Sequence, residues 1–460
     1  MNKGLVANKI LKMSKKIVQY RLQYGIMIIV TKPCTKGEYC TMVNYNITNN
    51  NLTRGICNFS NKISKGLKRP ILKFVSDMVY GILASGSSLI TEIARNLNEN
   101  IPLIKTVNRL CRNLQDFSDE EKSIVEENYL RSIKSNCDDD SVIVIDGSDI
   151  TKPASKKLEA LCQVRDGSTG EIGTGYHTIG AAVLSKEKKL PFGVYSRVYS
   201  SEEAGFVSED QEMLDCFKFL SLHFKKSNIR TMDRGFDNNR YYKYFIENEE
   251  NFIIRAKKNR NVIYNGKTQN ILDVANMFKG KYALKFKNKD GKKIDVKISI
   301  IPIELCEFKG TSLNLVVVHG FGKLPMMLIT NLSSDDKNIC VDVCKVYLIR
   351  WRIEEYFKFK KQSFDYENLR VRSLQSIRAL DFLLTMAIGY VSKLSDKDDT
   401  VILRFEIISA SKRLFDIADF LYYAVADGIF EVLKFVKRGI AAFLAPPPDD
   451  GQLRFAPWLN

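Results

Sequence analysis

Apolar residues recur along this chain with changing periods, and the changes mark its organisation. Residues 1–60 mix basic, Asn-rich and short apolar pieces with no sustained period, so order is expected to begin near Pro70. From 71 to about 114 the spacing is helical. Ser87 or Ser88 is placed to cap a helix running to Leu97, 98–102 makes a turn, and a second helix carries Lys105, Arg109 and Arg112. Helix, turn and basic helix is the pattern of a DNA-reading unit and equally of a plain helical bundle.

Residues 141–145 are a nearly continuous apolar run, the mark of a strand covered on both faces, and the run ends at Asp146. Strands are expected at 174–184 and 190–199, a helix at 211–224, and a strand at 229–232 that ends at Asp233. A helix at 238–248 and a strand at 251–255 continue the alternation, giving a mixed α/β core with an aspartate at two strand ends. Residues 260–330 then alternate apolar and polar between Asn-Gly and Asp-Gly pairs, as antiparallel hairpins do. One helix is expected over 338–361, and helical patterns run from 376 to 443 before Pro446–Pro448. The implied parts are a basic N-terminal region 1–69, a helical DNA-binding domain 70–140, a core 141–259 with a β-rich insertion 260–330, a further core segment 331–375 that carries Glu354, and a helical C-terminal region 376–460.

With 45% hydrophobic and 27% charged residues among 460, the composition is that of an ordinary globular protein. The charge changes the picture. Lys and Arg number 70 against 53 acids, a net +17, and residues 1–70 hold thirteen Lys or Arg with Glu38 as their single acid. Such an excess favours a polyanionic partner, nucleic acid first, although a solvated basic tail has the same look. No apolar run reaches the roughly 18 to 20 residues that span a bilayer, and no secretory leader is visible, so a cytoplasmic protein without a membrane partner is expected. The ten cysteines form no Cys-x-x-Cys pair and there are three histidines, so a structural zinc site has no support and reduced, mostly buried thiols are expected.

The candidate chemistry lies around Tyr347, Arg350, Glu354 and Lys361, whose intervals of three, four and seven residues are all helical. On one continuous helix these side chains fall within about 60° of each other. Val346, Ile349, Ile353 and Tyr356 lie on the adjoining face, free to pack on a sheet. A solvated charged face is the plain reading of such a stripe, and strand-end aspartates often only cap turns. Together, however, Asp146, Asp233 and Glu354 make the kind of oxygen-donor cluster that binds divalent cations, and three carboxylates permit two metals. Phosphodiester chemistry needs that arrangement together with cationic donors that fix the phosphate.

At these residues the chain resembles the bacterial insertion-sequence transposases that carry an Asp-Asp-Glu triad on a ribonuclease H-like fold. More narrowly it resembles the insertion-sequence-four type, whose pattern Tyr-x2-Arg-x3-Glu-x6-Lys is met by Tyr347, Arg350, Glu354 and Lys361. Val144-Ile145-Asp146-Gly147-Ser148-Asp149 and Met232-Asp233-Arg234-Gly235-Phe236 resemble the family's two aspartate segments, and the β-rich piece falls where the family inserts one before its glutamate. The resemblance covers roughly residues 68–372 and implies a ribonuclease H-like core with helical flanks. It implies that Asp146, Asp233 and Glu354 hold two Mg²⁺, with Mn²⁺ able to substitute, and that Tyr347, Arg350 and Lys361 hold DNA-end phosphates, with Arg255 and Lys257 against the DNA backbone. Asp149 is a possible further ligand or a turn-forming residue. The implied partners are double-stranded DNA, as transposon ends and target, and a second copy of the chain in a synaptic homodimer at the bacterial nucleoid. A nuclease that cuts without joining, and an inactive relative that binds DNA as repressor or scaffold, are the rival readings.

Overall fold

One mixed sheet runs through the protein, and helices cover both its faces. The computed structural model describes residues 45–137, 141–167, 169–185, 189–287, 293–332, 337–396, 400–412, 421–434 and 440. Among the described residues five helices come first: α1 (Tyr45–Ile63), α2 (Arg69–Ser85), α3 (Ile90–Asn96), α4 (Leu103–Asp116) and α5 (Asp119–Ile133). Helix α1 lies in the stretch expected to lack order, the remainder of which falls outside the described residues. Its Leu52, Ile56, Phe59 and Ile63 are buried, a helical stripe that the surrounding asparagines dilute in the sequence. Helix α4 does not present Arg109 to solvent as a DNA-reading helix would. The guanidinium is held by Asp77 at 2.8 Å and Glu99 at 2.9 Å.

The core strands are β1 (Ile143–Thr151), β2 (Cys162–Arg165), β3 (Ile172–Leu184) and β4 (Pro191–Tyr199), then α6 (Glu209–His223), β5 (Arg230–Met232), α7 (Asn239–Glu247) and β6 (Phe252–Arg255). Strands β1, β5 and β6 are mutually parallel, while β3 is antiparallel to β1 and to β4. This order, β4-β3-β1-β5-β6, is that of a ribonuclease H-like core. Strand β1 does not end at Asp146. Its antiparallel pairing with β3 continues to Thr151 opposite Gly175, while its parallel pairing with β5 covers only Ile143 and Val144.

The segment after β6 forms β7 (Asn261–Tyr264), β8 (Lys267–Asn270), α8 (Ile271–Asn276), β9 (Tyr282–Lys287), β10 (Lys293–Leu305), β11 (Leu313–His319) and β12 (Met326–Thr330). It is continuous with the core sheet, because β12 pairs antiparallel with β6. The period-two alternation of this extension feeds two separate cores. In β11, Leu315 and Val317 face the main core, whereas Val316 and Val318 face a smaller one.

The remaining helices are α9 (Lys337–Ile349), α10 (Arg352–Ser363), α11 (Leu374–Asp396), α12 (Val401–Ala410) and α13 (Tyr422–Leu433). The single helix expected over 338–361 is therefore two, broken at Arg350 and Trp351. Each half serves a different core: α9 buries Val343, Cys344 and Tyr347 in the smaller one, and α10 buries Ile353, Tyr356 and Phe359 in the main one. A straight helix could not satisfy both. The chain tightens instead, with backbone bonds from Arg350 to Tyr347 and from Ile353 to Arg350, the spacing of a 3₁₀ turn.

Helix α11, with 23 residues, is long and apolar enough to cross a membrane by length and composition, against the expectation that no stretch would be. It is buried inside the protein, packed on β4, α2 and α4. The main core is continuous from Leu52 in α1 through the sheet to Leu433 in α13, so the boundary expected near residue 140 is not a boundary in the packing.

Candidate active site

Asp146 lies just past the two β1 residues paired in parallel with β5, where β1 leaves that partner. Asp233 directly follows β5, and its Oδ1 accepts from the Gly235 amide at 2.6 Å, which fixes the turn after the strand. Glu354 stands in the first turn of α10, half exposed. Two glycines bring α10 onto the sheet: a Cβ at Gly180 of β3 would sit 2.6 Å from the Phe357 ring, and one at Gly193 of β4 would sit 2.2 Å from the Tyr356 hydroxyl. Each is a place where no side chain fits, and together they set the height of Glu354 above the strands.

The Arg350 guanidinium joins two of the acids, donating from Nη1 to Asp146 Oδ2 at 2.8 Å and from Nη2 to Glu354 Oε1. Burial pushes the Asp146 carboxyl up to about 7; Arg350 works against this, and the charges of Asp233 and Glu354 add to it. The charges of Asp233 and Glu354 are therefore both felt at Asp146. Among the described residues no three His, Cys, Asp or Glu side chains already surround a single point. A cation's charge is instead supplied between Asp146 and Glu354 by Arg350. The donors are carboxylate oxygens, the hard ligands that Mg²⁺ and Mn²⁺ take, so the residues fit such an ion in chemistry.

Lys361 lies 3.0 Å from Asp149 Oδ2 and 3.0 Å from Glu367 Oε1. Burial would lower its pKa, but these two carboxylates hold it above the ordinary lysine value. Asp149 is buried and also accepts from the Gly167 amide at 3.2 Å, so it is the counterion of Lys361 and the anchor of a loop. The four residues expected to form one polar stripe do not. Tyr347 is only 6% exposed and packs in the smaller core, with the Arg350 guanidinium 5.8 Å from its ring centre. Its ring lies in the smaller core because the break in the helix turns α9 toward the insertion.

Arg255 ends β6, one position beyond the Met232–Ile254 pair and so level with Asp233, and is half-buried. Lys257 is exposed, its backbone amide donating to Asp237 Oδ2 at 2.7 Å and its ammonium reaching the Asp237 carbonyl at 3.4 Å. A buried network escaped sequence reasoning. Lys360 donates to Asp381, to Ser196 Oγ at 3.2 Å and to Thr385 Oγ1 at 3.4 Å, and Tyr366 donates to the same carboxylate. It ties α10 to α11 and β4 beneath the acids. Its signal was legible: Lys360 shares a helix face with Ile353 and Tyr356, and Asp381 interrupts the apolar run Ala379-Leu380-Phe382-Leu383.

Fold and site define an α/β protein with one acid within a central strand, one just after the parallel strand beside it, and one on a helix packed over them. Residues 138–389 match the family model described as the transposase DDE domain. The match spans more than half of the 460 residues, and the chain belongs to that family: it is a DDE transposase, an enzyme acting on DNA. No curated protein matches in sequence. Among solved structures it is similar to a piggyBac transposase synaptic complex with hairpin DNA, determined by cryo-electron microscopy. The TM-score is 0.44 at 9% identity, covering 90% of this chain and 88% of that one.

Proposed function

We propose that this chain is the transposase of a bacterial insertion sequence of the insertion-sequence-four type, working at the nucleoid. It binds the terminal inverted repeats of its own element as a homodimer, cuts at their ends, and joins the freed 3′-hydroxyl to target DNA. The observation that carries this reading is Arg350 bonded at once to Asp146 and Glu354, with the charge of Asp233 felt at Asp146.

Asp146, Asp233 and Glu354 would hold two Mg²⁺, or Mn²⁺ in their place, and bound there such ions activate the attacking oxygen and neutralise the leaving one. The chain's own residues do the rest. Arg350 exchanges its carboxylate partners for a phosphate, the guanidinium fork matching two phosphate oxygens. Tyr347, beside that guanidinium, holds DNA-end phosphate with it, and Lys361 exchanges Asp149 and Glu367 for a second phosphate. Arg255, level with Asp233, and the exposed Lys257 border the same edge and meet the DNA backbone.

The test uses the full-length chain, linear DNA carrying the element's own ends, a target plasmid and Mg²⁺, read on sequencing gels. Cleavage at the ends followed by joined products supports the proposal. Cleavage alone would make the protein a nuclease, and binding without cleavage a repressor or scaffold.

A further inference from the structure

Beside the acids lies a second feature with no assigned role, a cleft of about 350 Å³ lined by Lys156, Lys157, Leu158, Leu369, Arg370 and Arg372. All four cations are exposed, and none makes an ion pair among the described residues. The acids of the neighbourhood are otherwise engaged. Glu367 Oε1 accepts from Lys361 and Thr151, Glu159 Oε2 accepts from the Leu374 amide at 2.8 Å, and Asp365 Oδ2 accepts from Asn368.

The walls of the cleft are fixed to each other rather than merely adjacent. Lys152 is buried and its ammonium donates to the carbonyls of Glu367 and, at 2.7 Å, Leu369. Further along, the Glu159 amide donates to the Arg372 carbonyl at 3.0 Å. Burial lowers Lys152 to about 8; the charges of Glu367 and Asp365 oppose this, and that of Arg370 adds to it. Glu367 links the cleft to the site, its side chain on Lys361 and its carbonyl on Lys152.

Resting on the transposase reading, we infer that this cleft is a clamp for the sugar-phosphate backbone of duplex DNA, placed beyond Lys361 and indifferent to sequence. Its two walls present paired point charges and guanidinium forks, the donors that phosphates take, and Ser155 is the one neutral polar side chain among the lining residues.

The experiment compares three full-length proteins binding a fluorescent mixed-sequence duplex across a salt series. They are the wild type, the cleft variant Lys156→Gln, Lys157→Gln, Arg370→Gln, Arg372→Gln, and a control with the same charge loss, Arg131→Gln, Lys218→Gln, Lys226→Gln, Lys243→Gln. The control residues are surface cations facing Glu127, Asp215, Glu249 and Glu247. The expected result is a fall of about 2 to 4 in the slope of log affinity against log salt for the cleft variant, near 0.9 per lost phosphate contact, with an unchanged melting curve and a control close to wild type. A cleft variant with the wild-type slope, or a control that loses as much, overturns the clamp while leaving the transposase reading standing. A wild type that binds no duplex overturns that reading, and the clamp with it.

Discussion

Arg350 donates to Asp146 Oδ2 at 2.8 Å across 204 residues of sequence, and its other terminal nitrogen is on Glu354. The guanidinium performs for these two acids what a divalent cation would. Replacing it by Gln should therefore destabilise the metal-free protein by about 1–3 kcal/mol, between the values for exposed and buried pairs. Added Mg²⁺ should recover more stability in Arg350→Gln than in the wild type. Thermal melts with and without the ion measure this, and equal Mg²⁺ gains in both proteins would separate Arg350 from the cation site.

The acids themselves give the plainest expectation. Asp146→Asn, Asp233→Asn and Glu354→Gln each keep shape and remove one charge, so cutting should vanish while duplex binding by gel shift stays within a few-fold of wild type. Retained cutting in any of the three removes that residue from the metal set.

Gly193 tests the seating of α10. A Cβ there meets the Tyr356 hydroxyl, two residues from Glu354. Gly193→Ala should cost about 1–3 kcal/mol through overpacking and should slow cutting more than it weakens binding. Gly173→Ala in β3, where no heavy atom lies within 4 Å, is the control and should change neither. A neutral Gly193→Ala would show that the height of the helix is set elsewhere.

The helical layer carries a pH dependence. Although burial alone would raise it, hydrogen bonds from Lys73, Thr106 and Arg109 hold Glu99 at about 2, below its ordinary 4.5. A depressed folded pKa means that the stabilisation is complete above about 4.5 and is lost as pH falls toward 2. Asp77 in the same cluster is shifted upward by burial, so its contribution runs the opposite way. Glu99→Gln should therefore lower stability at pH 6 and flatten the acid limb between these values, as followed by urea midpoints. An unchanged acid limb would show that the network does not hold Glu99.

Much of this was legible in the chain. The position of Asp233 at the end of β5 follows from a short apolar run, because a parallel strand buried on both faces leaves no other pattern, whereas β1 runs on past Asp146 to Thr151 against β3. The hairpins of the insertion are visible in their alternation. The break at Arg350 was not legible, since the apolar face of Val346, Ile349, Ile353 and Tyr356 keeps a helical spacing straight through it. Only the three-dimensional course of the sheet separates the two cores, and with them Tyr347 from the exposed Glu354. Asp149 was missed as the partner of Lys361 for a related reason: a counterion 212 residues away leaves no local trace.

The continuity of hydrophobic packing from α1 to α13 bears on how such a gene decays. A premature stop codon upstream of α11 would strip the cover from β4 and α4 together, so a shortened product has no self-sufficient piece to fall back on. Loss of function by truncation should yield protein cleared by proteases rather than a persistent competitor for the element's ends, whereas point changes at the acids would leave an intact rival.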